Sequence, residues 1–561
     1  MSRTEIESVI VSAEQMGRIE QRLFDAGFPV AALMEKVAGR IAQRLTALYL
    51  RSPAPSNAPS NVRSNPAVGA SVGVLVGPGH NGGDALVVAR ELFLQGCRVQ
   101  LLCPFEQLKP LTASHFKYVN SLGIETVPAV EHLAHCDVIV DGLFGFGLTL
   151  PLEGAIADLI NRLNQRLGPV VSIDLPSGLH SDTGQPLGTA VKADQTLCLG
   201  LWKRAFVQTA ALDYIGCCER IDFGIPLADI YAVLGQPPQV QRITSEAVRS
   251  RLPLPRPSAT HKYKVGSLLL VCGSKPFAGA ALLSGLGARA SGVGMLTVAV
   301  PEALRLWLVG QLPEALVVGC PETETGAIAQ LPEDLTLEAY DAIACGPGLT
   351  RAAQPVVRQL LDIPRPLLLD ADGLNSLADL GTLENLRSRP VATVLTPHFG
   401  EFKRLFPAIA EAHISETRAD AGTMAQKAAQ TSGAIVLLKG ARTAIAAPDQ
   451  SLWFNPESTP ALARGGSGDV LTGLIGGLMA QVTHAQIPDT QVTSAQVTNA
   501  QVTNRDYLSP ALVASWWHAQ TALQLERDRS GLGVDPQTLA QTLTAVLAQN
   551  LAVFYPPGPP V

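Results

Sequence analysis

Two glycine-rich segments carry the residue types that phosphate chemistry needs. Asn81-Gly82-Gly83-Asp84 lies near one end of the chain and Gly465-Gly466-Ser467-Gly468-Asp469 near the other. Each joins an apolar run to a helix-like run, so each reads as a loop offering backbone N–H groups to an anion. In the second, a helix over residues 470–480 would aim its positive end at the bound charge. Asp469 at its start could accept the proton of a hydroxyl that attacks a phosphoryl group. The plainer alternative is a glycine-rich helix cap with an aspartate in it. No Lys-Ser/Thr follows the glycines, so this is not a Walker A loop, and Asn81–Asp84 does not spell G-x-G-x-x-G. Two such loops so far apart predict two active sites on two folds, handling a nucleotide-like substrate.

Further groups fall just after apolar runs. Lys439, Gly440, Ala441, Arg442 and Thr443 offer a cation, a guanidinium and backbone contacts for a nucleotide phosphate. His398 and Asp372 each follow a short strand-like run. In the first half Asp141, Asp174 and Ser177 join Asn81 as oxygen donors, a set suited to an alkali or alkaline-earth cation. Asp174-Leu175-Pro176-Ser177-Gly178 could otherwise be a simple turn.

The elements that must position these groups are legible. Ser12-Ala13-Glu14-Gln15 reads as a capping box, followed by Met16, Ile19 and Leu23 at helical spacing. Leu33, Val37, Ile41 and Leu45 mark a second amphipathic helix. Residues 51–70, rich in Pro, Ser, Ala and Asn, read as a disordered insert. Strands at 72–76, 98–103, 138–140 and 170–173 alternate with helices, one around 86–94. That alternation predicts a parallel sheet with working loops at its C-terminal edge. A boundary is expected near residue 240, before the proline-rich stretch 252–257. Beyond it, strands at 267–271, 296–300, 342–345, 367–369, 394–395 and 435–438 restart the pattern. Gln-Val-Thr then recurs from Gln481, Gln491, Gln496 and Gln501, and residues 481–504 read as a solvated repeat insert. A helix with Trp516, Trp517 and His518 follows, and 556–561 reads as a frayed tail.

With 561 residues the chain exceeds one hydrophobic core. A formal net charge of −6 gives no global attraction to nucleic acid or anionic membranes. Arg3, Glu5 and Glu7 occupy the place of a secretory apolar core, and the apolar run 470–480 is too short for a roughly 30 Å hydrocarbon layer. Nine cysteines lack C-x-x-C or zinc-finger spacing. Reduced thiols in a cytoplasmic protein are expected.

Taken in order, the motifs resemble the bifunctional NAD(P)H-hydrate repair enzymes across nearly the whole chain. The first half carries Glu14, Met16, Leu33-Met34-Glu35, Gly77-Pro78-Gly79-His80-Asn81-Gly82-Gly83-Asp84, Asp141-Gly142-Leu143-Phe144-Gly145 and Asp174–Gly178. The second carries His261-Lys262, Gly273-Ser274, Gly279-Ala280, Gly346-Pro347-Gly348-Leu349, Asp370-Ala371-Asp372, Thr396-Pro397-His398, Glu401, Lys439-Gly440 and Gly465–Asp469.

The resemblance implies a Rossmann-like three-layer α/β/α epimerase domain over 1–240. It implies a ribokinase-like α/β, ADP-dependent dehydratase domain over 241–561. The first would interconvert the R and S epimers of NADH and NADPH hydrates. The second would return the S epimer to NAD(P)H, turning ADP into AMP and phosphate. Implied substrate contacts of the first are His80, Asn81, Gly82, Gly83, Asp84, Gly145, Phe146, Gly147, Leu148, Thr149, Leu150, Pro151 and Asp174. Asn81, Asp141 and Ser177 would hold potassium. In the second, Ala280, Gly348, His398 and Asp469 would hold the hydrate, and Lys439, Gly440, Ala441, Arg442, Thr443 and Gly468 the nucleotide, with magnesium. Asp469 is the expected catalytic base of dehydration. Asp174 is the first candidate for epimerase proton transfer and Lys203 the second. A homo-oligomer acting on small molecules, not on nucleic acid or membranes, is expected. Two departures stand out: His80 replaces the family's usual Asn, and Ala85 its usual Gly, which restricts φ. The alternative reading is a ribokinase-like small-molecule kinase carrying a non-catalytic N-terminal binding module.

Overall fold

The computed structural model describes residues 3–50, 69–166, 168–415, 420–482 and 504–552. Most of the Pro/Ser-rich insert (51–68), most of the repeat (483–503) and the tail (553–561) lie outside the described residues. The chain divides into two compact units, Met1–Pro238 and Gln239–Val561.

Short β-branched runs and helical apolar stripes build the first unit. Its strands are β1 (Ile10–Val11), β2 (Ser71–Val76), β3 (Arg98–Leu102), β4 (Glu125–Thr126), β5 (Val138–Gly142), β6 (Val170–Ile173), β7 (Gln195–Leu199), β8 (Trp202–Lys203) and β9 (Cys217–Ile221). Seven of them form one parallel sheet in the order β4-β3-β2-β5-β6-β7-β9, and β1 pairs with β8 alongside. Alternation along each strand sends side chains to opposite faces. Val72, Val74 and Val76 face α1 (Ala13–Asp25), α2 (Val30–Tyr49), α3 (His80–Leu94) and α4 (Pro110–Ser121). Leu75 and Ile139 face α5 (Gly154–Leu163). Three layers result. The Ser12 capping box forms as expected, Ser12 Oγ accepting from Gln15 N–H at 3.1 Å.

The second unit is a ten-stranded sheet. Its strands are β10 (Val240–Arg242), β11 (Ser267–Val271), β12 (Met295–Pro301), β13 (Leu316–Cys320), β14 (Ala342–Cys345), β15 (Leu367–Leu369), β16 (Thr393–Leu395), β17 (Ile435–Leu438), β18 (Thr443–Ala446) and β19 (Leu452–Asn455). Their order is β10-β19-β18-β17-β16-β15-β14-β11-β12-β13, and only β18 runs antiparallel to its neighbours. One face carries α6 (Ala278–Ala290), α11 (Ser467–Met479), α12 (Asn504–Arg529) and α13 (Pro536–Ala552), packed on Leu268, Leu270, Val298, Leu368 and Leu437. The alternate set, Leu269, Val271, Ile343, Leu367 and Leu369, is buried too. Helices α7 (Gln354–Asp362), α8 (Asp372–Leu380), α9 (Phe399–Leu405) and α10 (Ala421–Ser432) complete that layer.

Both sheets reverse direction once in strand order. From β2 the chain runs outward through β3 and β4, then returns to place β5 on the other side. From β11 it runs through β12 and β13, then returns with β14. Loops leaving the two strands at such a reversal splay apart and leave a crevice at the C-terminal edge. His80–Asp84 begins at the first of these crevices, after β2, whereas Gly465–Asp469 comes after β19 and meets Asp370 and Lys439 at the ends of β15 and β17.

Three local expectations are corrected. His80–Asp84 is the first turn of α3 instead of a loop before it, with Gly79 as N-cap. The reason is close packing: a Cβ on Gly82 would stand 1.9 Å from the Gly77 carbonyl oxygen, so glycine lets the helix begin directly against the strand end. Ala85 is therefore helical and fully buried, and its φ restriction costs nothing there. Strand β5 extends to Gly142, which puts Asp141 inside the sheet edge. Finally, the first Gln of the repeat is not solvated. Gln481 is buried, and its Nε2 donates to the carbonyls of Gly477 and Ser291 at 2.8 and 3.1 Å, closing the end of α11.

Candidate functional site

In the first unit the crevice between the ends of β2 and β5 opens into a cavity of about 420 Å³. His80, Asn81 and Asp84 from α3 line it, with Gly145, Phe146, Gly147 and Leu148 after β5 and Asp174 after β6. Gly82 and Gly83 are buried in the helix, and Leu150 is 73% exposed. Neither these three nor Thr149 and Pro151 line the cavity. Its apolar wall includes Phe24, Leu33, Met34, Val37 and Phe223.

Asp174 is the most constrained of these residues. Its φ is +67°, a left-handed value that strands and helices do not use. Its Oδ1 lies 2.5 Å from Lys203 Nζ and accepts from Leu199 N–H at 3.3 Å, while Oδ2 accepts from Phe146 N–H at 3.1 Å. Lys203 is fully buried and also donates to the Leu199 carbonyl at 2.5 Å, with its ammonium 5.5 Å from the Phe146 ring centroid. Burial pulls the Lys203 pKa down, but the charges of Asp174 and Cys198 outweigh it and the net shift is upward. Burial, reinforced by the charges of Asp174 and Glu20, drives Asp84 well above the usual carboxylate range. His80 is held below the usual imidazole value by burial and by Lys109.

Beside the cavity lies a cluster of oxygens. Asp141 accepts from Ser177 Oγ at 2.6 Å, Ser177 N–H at 2.9 Å, Ser172 Oγ at 2.8 Å and Leu143 N–H at 3.3 Å. Ser177 Oγ also lies 3.2 Å from the Phe144 carbonyl. Both residues are fully buried, and burial raises the Asp141 pKa against these hydrogen bonds. Asn81 Nδ2 is buried without a hydrogen-bond partner. An ideal Cβ on Gly145 would stand 3.4 Å from Asn81 Oδ1 and 3.1 Å from Asp174 Oδ2, so the amide and the catalytic candidate share this corner.

In the second unit α11 starts at Ser467, with Gly466 as a left-handed N-cap at φ +97°. Asp469 lies in its first turn. Burial, with the charges of Asp370 and Asp372, pushes the Asp469 pKa up to about 6, although Lys439 opposes the shift. Lys439 Nζ sits 2.7 Å from Asp370 Oδ1, and Thr472 Oγ1 donates to Asp370 Oδ2 at 2.6 Å. An ideal Cβ on Gly468 would be 3.5 Å from Lys439 Nζ, which places this ion pair against the glycine turn. Residues 439–442 form the turn between β17 and β18, where Thr443 Oγ1 donates to the Gly440 carbonyl at 3.2 Å. A Cβ on Gly348 would come within 2.8 Å of Ala280 Cβ, so the loop after β14 touches the start of α6. His398 caps α9: its Nδ1 accepts from Gly400 N–H at 2.9 Å, and Glu401 returns a bond to its backbone. It also bridges to Lys439 in parallel register.

Several residues at these sites were not singled out by spacing. Asp370 appears in the strand-end motif, but only the fold shows it holding Lys439. Thr472 lies one helical turn beyond Asp469 on an otherwise apolar helix, so a polar residue at that position was the available signal. His518 is fully buried behind the glycine turn, with Nε2 3.0 Å from the Ser467 carbonyl. A carbonyl only accepts, so Nε2 carries the proton. Burial depresses the His518 pKa to about 4, which keeps the ring neutral. Glu20, on α1, reaches the first cavity but lies outside the capping box and the motif residues of that helix.

Two α/β units, each gathering buried ionisable groups at the strand ends of its sheet, define a bifunctional enzyme. Residues 268–545 match a family model described as NAD(P)H-hydrate dehydratase, and residues 30–205 one described as YjeF-related protein N-terminus. The bifunctional NAD(P)H-hydrate repair enzyme Nnr of Synechocystis sp. is 50% identical over 97% of this chain and 95% of its own. The enzyme of the same name from Thermosynechococcus vestitus is 48% identical over 97% of this chain and 98% of its own. A crystal structure of ADP/ATP-dependent NAD(P)H-hydrate dehydratase from Bacillus subtilis, co-crystallized with ATP and Mg2+, is 32% identical. It covers 55% of this chain and 97% of that one, with a TM-score of 0.43. The chain belongs to the family of bifunctional NAD(P)H-hydrate repair enzymes. Both units are α/β, as expected, the first on a parallel sheet and the second on a mostly parallel one.

Proposed function

We propose that residues 1–240 interconvert the R and S epimers of NADH and NADPH hydrates, and that residues 241–561 dehydrate the S epimer with ADP. One observation carries the second assignment: Asp469, a carboxylate of raised pKa, stands in the first turn of a glycine-capped helix beside the Lys439–Asp370 pair. The N–H groups of Gly465–Gly468 and the dipole of α11 favour the transferring phosphoryl group. Asp469 accepts the proton of the substrate's C6 hydroxyl as that oxygen bonds to the β-phosphorus, and the bond to the bridging oxygen breaks to release AMP. Phosphate is a far better leaving group than hydroxide. The N1 lone pair then expels it, and loss of a C5 proton restores the dihydronicotinamide.

Ala280, Gly348 and His398 would hold the hydrate with Asp469, while Lys439, Gly440, Ala441, Arg442, Thr443 and Gly468 would hold the nucleotide. Both Asp370 oxygens are already engaged by Lys439 and Thr472, and no cluster of three His, Cys, Asp or Glu occurs among the described residues. That supports magnesium carried on the nucleotide's phosphates and water over a protein cage.

In the first unit, His80, Asn81, Gly82, Gly83, Asp84, Gly145–Pro151 and Asp174 are the proposed substrate residues. Asn81, Asp141 and Ser177 would hold potassium, and these residues fit it. The donors are hard oxygens, and the Phe144 carbonyl adds another beside Ser177. There the ion would supply positive charge beside the loops that hold the substrate. The test supplies purified protein with mixed hydrate epimers and ADP, and follows reduced-cofactor absorbance and inorganic phosphate. Consumption of both epimers with phosphate release is expected; a stable phosphorylated product without phosphate would sink the dehydratase reading.

A further inference from the structure

Glu20 and Lys109 are the ionisable residues of the first cavity's wall without a proposed contact to substrate or ion. Glu20 projects from α1 into the wall that Asn81, Asp84 and Asp174 share. Its neighbours in the helix, Met16 and Ile19, are buried in the core, which fixes the face Glu20 occupies. Asp174 is committed as an acceptor: Lys203 and the N–H groups of Leu199 and Phe146 all donate to it. Glu20 has the opposite character. Burial raises its pKa to about 7, with Lys203 opposing and the Asp174 charge adding to the rise. A carboxyl able to hold a proton and a carboxylate fixed as an acceptor on one cavity can divide acid from base between them, and Asp84 is a third carboxyl on the same wall.

We propose that Glu20 is the proton donor of the epimerase site, acting on the ring nitrogen of the hydrate while Asp174 acts on its C6 hydroxyl. This rests on the epimerase reading of the first unit. Asp174 takes the hydroxyl proton as the C6=O bond forms. The C6–N1 electron pair goes to N1, which takes the proton of Glu20, and the ring opens to an aldehyde and an N–H enamine. Rotation about C5–C6 presents the other carbonyl face. N1 attacks it, its proton returns to Glu20, and the Asp174 proton goes to the oxygen. No proton, electron or water is consumed in the cycle. Lys203, fixed on Asp174, balances that carboxylate's charge and returns it to the acceptor state.

The experiment uses the full chain with Glu20→Gln and Glu20→Asp. Initial rates of R-to-S conversion are followed by chromatography above the uncatalysed background. Far-UV circular dichroism and thermal unfolding of the same chain serve as the fold control, and dehydration of pure S epimer with ADP checks that the second site is intact. The Gln variant is expected to lose about 100-fold or more in epimerisation kcat, with KM within about threefold and dehydration unchanged. The Asp variant should retain a measurable part of the rate. An active wild type with an unimpaired Gln variant overturns the role of Glu20 alone. A wild type that does not accelerate interconversion overturns the epimerase reading and this role together. Should the Gln variant fail to fold, an Asp variant that folds, dehydrates normally and yet epimerises at the full wild-type rate with altered KM would overturn it too.

Discussion

Asp469 concentrates the chemistry of the second unit, and its protonation state sets the working pH range. A base must be ionised, so dehydratase kcat/KM should fall as pH drops below about 6, where burial and the nearby aspartates leave the carboxyl protonated. Asp469→Asn should abolish dehydration while ADP affinity, measured by calorimetry, changes little; full activity would remove the residue from the mechanism. In the first unit, Lys203→Met leaves the Asp174 carboxylate buried without its cation. Breaking a buried pair this way costs about 3–5 kcal/mol, so the denaturant midpoint of residues 1–238 should drop sharply. An unchanged midpoint would show that the pair contributes nothing to holding Asp174 in its left-handed conformation.

At the scale of elements, positioning depends on how closely helices approach. Helices α6 and α11 cross where a Cβ on Gly473 would stand 1.8 Å from the Ser284 carbonyl oxygen. Gly473→Val should push α11 off its seat and destabilise the second unit by ~3 kcal/mol, with dehydratase activity falling as the glycine turn moves with the helix. Thermal unfolding together with a dehydratase assay checks both effects. Helix α12 matters for a different reason, because His518 buttresses the turn from behind. His518→Leu removes one hydrogen bond of about 1 kcal/mol. A loss in kcat of roughly fivefold is expected, with little change in melting temperature; a wild-type kcat would mean that Ser467 holds its place unaided.

On the whole-molecule scale, each unit owns its core and its crevice. Apolar clusters fill both faces of the first sheet without residues from beyond 238. Residues 1–238 expressed alone should therefore fold and, on the proposed reading, interconvert hydrate epimers without nucleotide. A folded but inactive fragment would favour a binding module over an epimerase. All nine cysteines are free thiols, so reducing agent should leave both activities unchanged. No helix among the described residues is long and apolar enough to cross a membrane.

Local patterns carried much of this protein in the sequence alone. Short continuous apolar runs marked β11, β14, β15 and β17 to the residue, because strands covered on both faces bury every side chain, and 3.6-period stripes marked α1 and α2, because those helices bury one face. Glycines and aspartates just after those strands gave the motifs, since ligand loops in parallel sheets must leave from one edge. Whether His80–Asp84 was loop or helix did not show, because glycine permits both and the choice fell to the packing of Gly82 on Gly77. Nor did Asp174 and Lys203, Asp370 and Thr472, or Glu20 across the cavity announce themselves as partners. Such pairings join groups far apart in the chain. Their energies depend on separation and burial, which only the folded arrangement sets.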